Sequence, residues 1–312
     1  MKIVRHLGRQ SGTIAALCGL CLLLWILTPH FLTVANLLNV MEQTAINAVV
    51  SIGMTYVIIS AGIDLSVGSI LALTGVVLAQ MLKAGWPAAL AITATAAFGA
   101  GIGALNGIGI AIGGLPPFIM TLGMMSVARG AALLVTDGRP VSGFDAGFRA
   151  LATGRLLAIP APVLLTIVLY IVAHVVLTRS RFGRYVYGIG GNEEATRLSG
   201  VAVRFHKTMV YGVSGVTSAL AAVLLTARLN TAQPIAGINY ELDAIAATVI
   251  GGTSLSGGEG SLGGTLVGAL TMGVLRNGLN LLGVSSFLQQ IVIGGVIIAA
   301  VLVDRIVRER HP

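Results

Sequence analysis

Long apolar segments separated by short polar ones limit what this chain can fold into more than any other feature of its sequence. Ten can be delimited, at residues 13–32, 44–62, 67–83, 88–112, 116–135, 158–178, 208–228, 240–252, 262–282 and 285–303. About 20 apolar residues are needed for an α-helix to cross a bilayer, and a helix satisfies its own backbone hydrogen bonds there. We therefore predict an all-α membrane protein, one transmembrane domain over residues 1–312 with about ten transmembrane helices.

The composition excludes a water-soluble globule. Charged residues make up 10% of the chain and hydrophobic residues 55%, whereas a soluble domain is about 25% charged. The net charge of +8 does not indicate a nucleic-acid partner, because the basic residues lie in short segments between apolar runs. Cys18 and Cys21 have CxxC spacing, but no second pair accompanies them, so we expect packing residues and no metal site or catalytic residue.

The basic residues predict the orientation of the chain in the membrane. Twelve of the nineteen lie in three places, the N-terminal flank, residues 179–207 and the C-terminal tail, namely Lys2, Arg5, Arg9, Arg179, Arg181, Arg184, Arg197, Arg204, Lys207, Arg305, Arg308 and Arg310. The positive-inside rule places all three in the cytoplasm. Six spans before the charged loop and four after it allow this, with residues 136–157 as a periplasmic loop. The first span lacks a convincing cleavage site and is treated as retained.

Glycine spacing predicts close contacts between helices. Small residues four apart let two helices approach within the membrane, and three such sets occur: Gly99, Gly103 and Gly107; Gly109 and Gly113; Gly264 and Gly268. We interpret these glycines as packing positions.

Two glycine-rich breaks interrupt apolar segments, AGIDLSVGSILALTG at 61–75 and GGTSLSGGEGSLGG at 251–264. Irregular backbone at membrane depth is tolerated where it is buried in protein or lines a substrate route, so both breaks are predicted to lie near one. Asp64 either caps a helix that starts at Leu65 or takes a direct part in transport. The LSGGE at 255–259 and the GEGSLG at 258–263 resemble nucleotide-binding motifs, but the phosphate loop and the βαβ unit that these motifs require are lacking.

The charged segment 179–207 contains the ordered signals of a short helix. Asn192 is a good N-cap, Glu193 and Glu194 favour the first turn, and Gly200 is a natural stop. A helix over 193–199 is too short to be stable alone. With Arg197 and Leu198 pointing outward, it has the properties of a docking element, the alternative being a solvated loop.

At these residues the chain resembles the permease subunits of ribose-type monosaccharide ABC importers. The resemblance is carried by GIDLSVGS (62–69), GRYVYGIGGNEEATRLSGV (183–201) and IGGTSLSGGEGSLGGTLVGAL (250–270), with a lesser match at TLGMMSVARG (121–130). It covers nearly the whole chain.

The resemblance implies a coupling helix that docks on an ATPase subunit. The residues concerned are Gly191, Asn192, Glu193, Glu194, Ala195, Arg197, Leu198, Ser199 and Gly200. It further implies a bacterial inner-membrane protein that works with a cassette ATPase, a periplasmic sugar-binding protein and a second permease, either a copy or a paralogue. ATP and Mg²⁺ would bind to the ATPase, and this chain would hold no cofactor.

Polar residues inside the apolar segments are candidates for the translocation path. They are Asp64, Ser66, Asn106, Thr121, Asn277 and Asn280, with Asn47, Gln289 and Gln290 as further candidates. Each could contact an uncharged, hydroxyl-rich solute or could hydrogen bond between helices. Arg129 and Arg276 are expected to pair with acids or carbonyls.

Three competing functions stay open at this point. An ion-coupled secondary transporter usually has several ionisable residues in mid-span, whereas Asp64 is almost the only one here apart from Glu42 near a span end. A branched-chain amino acid permease of the ABC type is the nearer alternative, and a structural membrane protein without an ATPase is the third. Pentose, hexose and polyol cargoes all fit, because the binding protein sets specificity.

Overall fold

The computed structural model describes the backbone of residues 2–156 and 159–309 and the side chains of residues 12–156 and 159–302. The terminal basic residues used for the orientation, Lys2, Arg5, Arg9, Arg305, Arg308 and Arg310, have side chains outside these ranges. The described helices are α1 (Lys2–Leu27), α2 (Val34–Ile59), α3 (Val67–Lys83), α4 (Ala88–Ala111), α5 (Pro117–Thr136), α6 (Ala146–Thr153), α7 (Ala161–Arg179), α8 (Arg181–Gly191), α9 (Glu193–Leu198), α10 (Val203–Leu229), α11 (Tyr240–Ile250), α12 (Leu262–Leu281) and α13 (Ser286–Glu309).

The all-α membrane architecture is confirmed. Within the described residues, α2, α4, α5, α7 and α10 are long and apolar enough to cross a membrane, and α1, α3 and α13 contain shorter apolar stretches. Helix α11, predicted as a span over 240–252, has 11 residues and is therefore about 16 Å long. That length crosses about half of a hydrocarbon core. The count of ten spans stays a prediction.

The loop predicted at 136–157 contains regular structure that sequence reasoning did not anticipate. Helix α6 begins where Asp145 Oδ1 accepts a hydrogen bond from the Phe148 amide at 2.8 Å. Strand β1 (Val141–Ser142) pairs antiparallel with β4 (Thr231–Ala232), and β2 (Arg155–Leu156) pairs with β3 (Ile159–Pro160). The segment is therefore folded against the chain that follows α10.

The predicted glycine contacts join α4 to α10. A Cβ atom on Gly99 would overlap Ala219 and the Gly215 carbonyl, and one on Gly103 would overlap the Tyr211 carbonyl. Since ascending positions in α4 meet descending positions in α10, the two helices run antiparallel. In the same way Gly264 and Gly268 of α12 lie against the Gly251 and Ala247 carbonyls, at the end of α11.

The prediction for Gly109 and Gly113 is partly wrong. Gly109 does pack against another helix, since its added Cβ would lie 2.6 Å from the Met120 sulfur in α5. Gly113 instead lies beyond the end of α4 and contacts the Gly109 carbonyl of its own segment. The helix ends too early for this glycine to reach a neighbour.

Gly103→Ala is expected to destabilise the purified protein by about 1–3 kcal/mol, because the methyl group overlaps backbone that cannot move alone. Gly101→Ala in the same helix is the control, since a Cβ there meets nothing within 4 Å. It is expected to be neutral or to stabilise by up to about 1 kcal/mol, as alanine stiffens the unfolded chain. Thermal unfolding in detergent measures both. Equal melting temperatures for the two variants would contradict the close α4–α10 contact.

Helix α2 is the centre of the bundle. Its second half is almost entirely buried, and its carbonyls and tyrosine are bonded to α7: Tyr170 donates its hydroxyl to the Ala48 carbonyl at 3.0 Å, and Tyr56 donates to the Ala173 carbonyl at 2.7 Å. The first glycine-rich break follows immediately after Ile59. It therefore starts from the buried end of α2.

Candidate functional site

The short helix predicted in the charged segment is confirmed as α9, Glu193–Leu198. Asn192 Oδ1 accepts a hydrogen bond from the Ala195 amide at 2.8 Å, and the chain leaves the helix after Ser199 through Gly200, whose φ is +83°. None of the six residues is buried. Leu198 is 76% exposed and lies beside the exposed Arg197, so both side chains are accessible from solvent.

Two ties hold α9 against the rest of the protein. Asn192 is at once the C-cap of α8, donating its amide to the Gly188 carbonyl at 2.9 Å, and the N-cap of α9. Asn192 is the only residue between the two helices. On the other side, Lys207 Nζ of α10 binds Glu193 Oε2 at 2.7 Å. These contacts explain how a helix too short to persist alone is kept in place.

One ion pair lies within α9 itself. Arg197 Nε donates to Glu194 Oε2 at 3.0 Å, and this hydrogen bond, with the nearby positive charge, holds the pKa of the Glu194 carboxyl below its usual value. The pair therefore stays charged at neutral pH. The contribution of this ion pair to the stability of α9 is lost only as the pH falls through the lowered pKa of Glu194.

Helix α8 was missed by sequence analysis, which read the segment before Asn192 as a loop. Phe182, Val186 and Ile189 lie at helical spacing, and that spacing was the available signal. Val186 belongs to the main core cluster and Ile189 is also buried, while the ring of Phe182 stacks on Tyr56 with centroids 6.0 Å apart. The apolar face of α8 thus lies on the bundle, and its last residues carry α9.

Three of the predicted path residues form one buried polar cluster. Asp64 Oδ1 accepts hydrogen bonds from the Ser66 amide (3.0 Å) and hydroxyl (2.6 Å), and Asn106 Nδ2 donates to the same hydroxyl at 2.9 Å. The fourth member, Ser214 of α10, was not anticipated; its hydroxyl donates to Asp64 Oδ2 at 2.7 Å. All four side chains are shielded from solvent.

The cluster corrects the capping role predicted for Asp64. Helix α3 begins at Val67 and not at Leu65, and the carboxylate receives one backbone amide rather than several. Its other two hydrogen bonds come from serine hydroxyls, so it joins the first break to α10. Thr121 lies beside the cluster, 3.4 Å from the Ile63 carbonyl, and donates to Pro117 in its own helix.

The remaining candidates lie elsewhere and bond between helices. Asn277 of α12 and Asn36 of α2 exchange hydrogen bonds of 3.0 and 2.8 Å. Asn280 accepts a hydrogen bond from Gln289 of α13 at 2.8 Å. The six path candidates are therefore divided between the Asp64 cluster and the α12 contacts.

The expected pairing of the intramembrane arginines is confirmed. Arg129 Nη1 donates to the Pro234 and Ala236 carbonyls at 2.7 Å each, and Arg276 binds both carboxylate oxygens of Asp243 at 2.7–2.8 Å. Asp64 is not the only buried acid among the described residues, because Asp243, in the first turn of α11, is buried as well.

The described residues hold no group of three histidine, cysteine or acidic side chains that could bind a metal ion. Cys18 is exposed and Cys21 is half-buried, and both are free thiols. The arrangement found is an exposed helix, α9, that is hydrogen bonded to α8 and α10.

Comparisons with known proteins identify the family of this chain. Residues 36–301 match the family described as branched-chain amino acid transport system / permease component. The chain belongs to this permease family. It is 49% identical over 299 residues to the ribose import permease protein RbsC of Escherichia coli, covering 95% of this chain and 93% of that protein. It is also 49% identical to RbsC of Bacillus subtilis, with the same coverage, and no solved structure matches it.

More distant relatives extend the same group. The D-allose transport system permease protein AlsC of Escherichia coli is 39% identical over 96% of the chain, and the xylose permease protein XylH is 35% identical over 95%. The resemblance to ribose-type ABC permeases is confirmed. The protein is a multi-pass membrane transport subunit and not an enzyme.

Proposed function

We propose that this chain forms the membrane pathway of an ATP-driven importer that carries a monosaccharide, a pentose, hexose or related polyol, into the bacterial cytoplasm. The observation that carries the proposal is the 49% identity to ribose import permeases over 95% of the chain. A periplasmic binding protein delivers the sugar. A second permease, a copy of this chain or a paralogue, completes the pathway.

A sugar cargo is favoured over a branched-chain amino acid. The relatives named above import ribose, allose and xylose, and the family description is broader than any of them. The buried acids also support an uncharged cargo. Asp64 is occupied by serine donors and Asp243 by Arg276, so neither is free to pair with the ammonium group of a zwitterion.

The cassette ATPase docks on α9. The exposed Arg197 and Leu198 supply a charged and an apolar contact, and the ties through Asn192 and Lys207 let a pull on α9 reach α8 and α10. ATP and Mg²⁺ bind to that ATPase, and no cofactor is held by this chain. ATP binding draws the docked helices together and switches the bundle between outward and inward openings.

This docking sets the orientation. The ATPase works in the cytoplasm, so α9 faces it, and with ten crossings of the inner membrane both termini are cytoplasmic. Residues 136–157 then face the periplasm. Helix α6 and the two strand pairs give the binding protein a folded surface to meet.

Affinity purification of the tagged chain from its host's membranes, followed by mass spectrometry, tests the proposal. We expect a cassette ATPase and a periplasmic binding protein to co-purify. The binding protein is then titrated with D-ribose, D-allose, D-xylose and L-leucine. Binding of a sugar supports the proposal, binding of leucine alone overturns the cargo, and recovery without any ATPase in several mild detergents overturns the importer in favour of a self-contained carrier.

A further inference from the structure

The two glycine-rich breaks, far apart in the sequence, meet at a single point beside the end of α8. The Ile59 carbonyl, which ends α2 just before the first break, accepts a hydrogen bond from the Gly258 amide of the second break at 2.8 Å. Gly190 of α8 lies against the same carbonyl and against the Gly258 nitrogen. Three backbone segments are thus in direct contact.

This point has no space for side chains. A Cβ atom on Gly190 would overlap the Ile59 carbonyl, and one on Gly257 would lie 2.7 Å from the Ala61 Cβ and 2.8 Å from the Gly190 carbonyl oxygen. Gly257 and Gly258 also adopt φ angles of +82° and +74°, which disfavour other residues. The glycines of the LSGGEG stretch are therefore required by contact as well as by conformation.

The second break is also tied to α8 through a side chain. Tyr187 donates its hydroxyl to the Gly260 carbonyl at 2.8 Å. Within the break, the Ser254 amide donates to the Glu259 carbonyl at 2.9 Å and the Gly257 amide to the Ser254 carbonyl at 3.0 Å. The loop is closed on itself, so a displacement at Gly258 displaces all of it.

We propose that Ile59, Gly190, Gly257 and Gly258 form a transmission junction that passes movement of α9 to both breaks at once. The inference rests on the proposed docking of the ATPase on α9. Because Asn192 is the only residue between α8 and α9 and caps both helices, displacement of α9 moves the end of α8. The junction then moves the first break, which leads to the Asp64 cluster, together with the second, which leads into α12. Gly190, Gly257 and Gly258 act as positioning residues for transport.

Distances between spin labels test this in the purified complex with its ATPase, in a background where Cys18 and Cys21 are replaced by alanine. One pair joins α8 to the second break, Arg184→Cys with Ser256→Cys, both exposed positions. The other joins that break to the external strand β1, Ser256→Cys with Ser142→Cys. Each is measured without nucleotide and after trapping with ATP and vanadate.

We expect the first distance to stay constant on trapping and the second to change, because α8 and the break move together relative to the external face. In Gly190→Ala the first distance should change as well, although the ATPase is still bound. Gly263→Ala is the matched control, since a Cβ there meets nothing within 4 Å, and it should behave as the unmodified chain.

A first distance that changes in the unmodified chain, a second that does not, or a Gly190→Ala variant that behaves as the control would each overturn the junction. Failure to recover any ATPase with the unmodified chain would instead overturn the docking. If Gly190→Ala does not assemble, Tyr187→Phe replaces it. That variant removes one hydrogen bond between α8 and the second break. A first distance that changes on trapping supports the junction, and behaviour like that of the control overturns it.

Discussion

Arg197→Glu combined with Leu198→Asp is expected to release the ATPase and to abolish sugar uptake. Both side chains are exposed on α9, and Arg197 pairs with Glu194 of the same helix, so neither of them holds α9 against the bundle. Arginine is a frequent hot-spot residue, and truncating one at the centre of an interface costs about 2 kcal/mol or more. With the charge also reversed and an apolar contact replaced by a carboxylate, binding of the ATPase should weaken about a thousandfold, which corresponds to about 4 kcal/mol. Co-purification in mild detergent and uptake in cells measure the two effects.

The external loop offers a control of the same chemistry. Arg155 and Leu156 are also an adjacent, exposed arginine–leucine pair, but they lie in β2, on the side that the orientation places in the periplasm. Arg155→Glu with Leu156→Asp should leave the ATPase bound. Retention of the ATPase by the α9 variant, or equal loss in both variants, would show that α9 is not the docking helix.

Asp64→Ala is expected to lower the stability of the permease by about 3 kcal/mol or more. The substitution removes the acceptor of three hydrogen bonds, from the Ser66 amide, the Ser66 hydroxyl and the Ser214 hydroxyl. Each buried donor left without a partner costs about 1–3 kcal/mol. The melting temperature in detergent should therefore fall by about 10 °C.

Asp145→Ala provides the comparison for this second prediction. Asp145 is exposed and accepts one amide hydrogen bond at the start of α6, so its loss should cost about 1 kcal/mol. An Asp64→Ala protein that melts normally but does not transport would reverse the interpretation. Asp64 would then act in the translocation path and would not be needed to stabilise the helix bundle.

The features predictable from the sequence were those that local residue identity encodes. The spans follow from runs of apolar residues, and α9 follows from Asn192, Glu193, Glu194 and Gly200, because caps and dipole preferences act within one turn. The glycine contacts of α4 were also predictable, although their partner helix was not.

The features that were missed depend on contacts far apart in the chain. Ser214 completes the Asp64 cluster from 150 residues away, and the local sequence around either residue does not predict this contact. The strands contain two residues each, too few to show a periodic pattern. Helix α8 did leave a signal in its apolar spacing, but its arginines and glycines made it resemble a loop.

The contact between α4 and α10 limits how this bundle can change shape. Along it, Gly99, Gly103 and Gly215 bring backbone against backbone, and such a surface has no flexible side chains to absorb sliding or rotation. The two helices must travel as one rigid body. Opening and closing of the pathway therefore require relative motion outside this pair of helices.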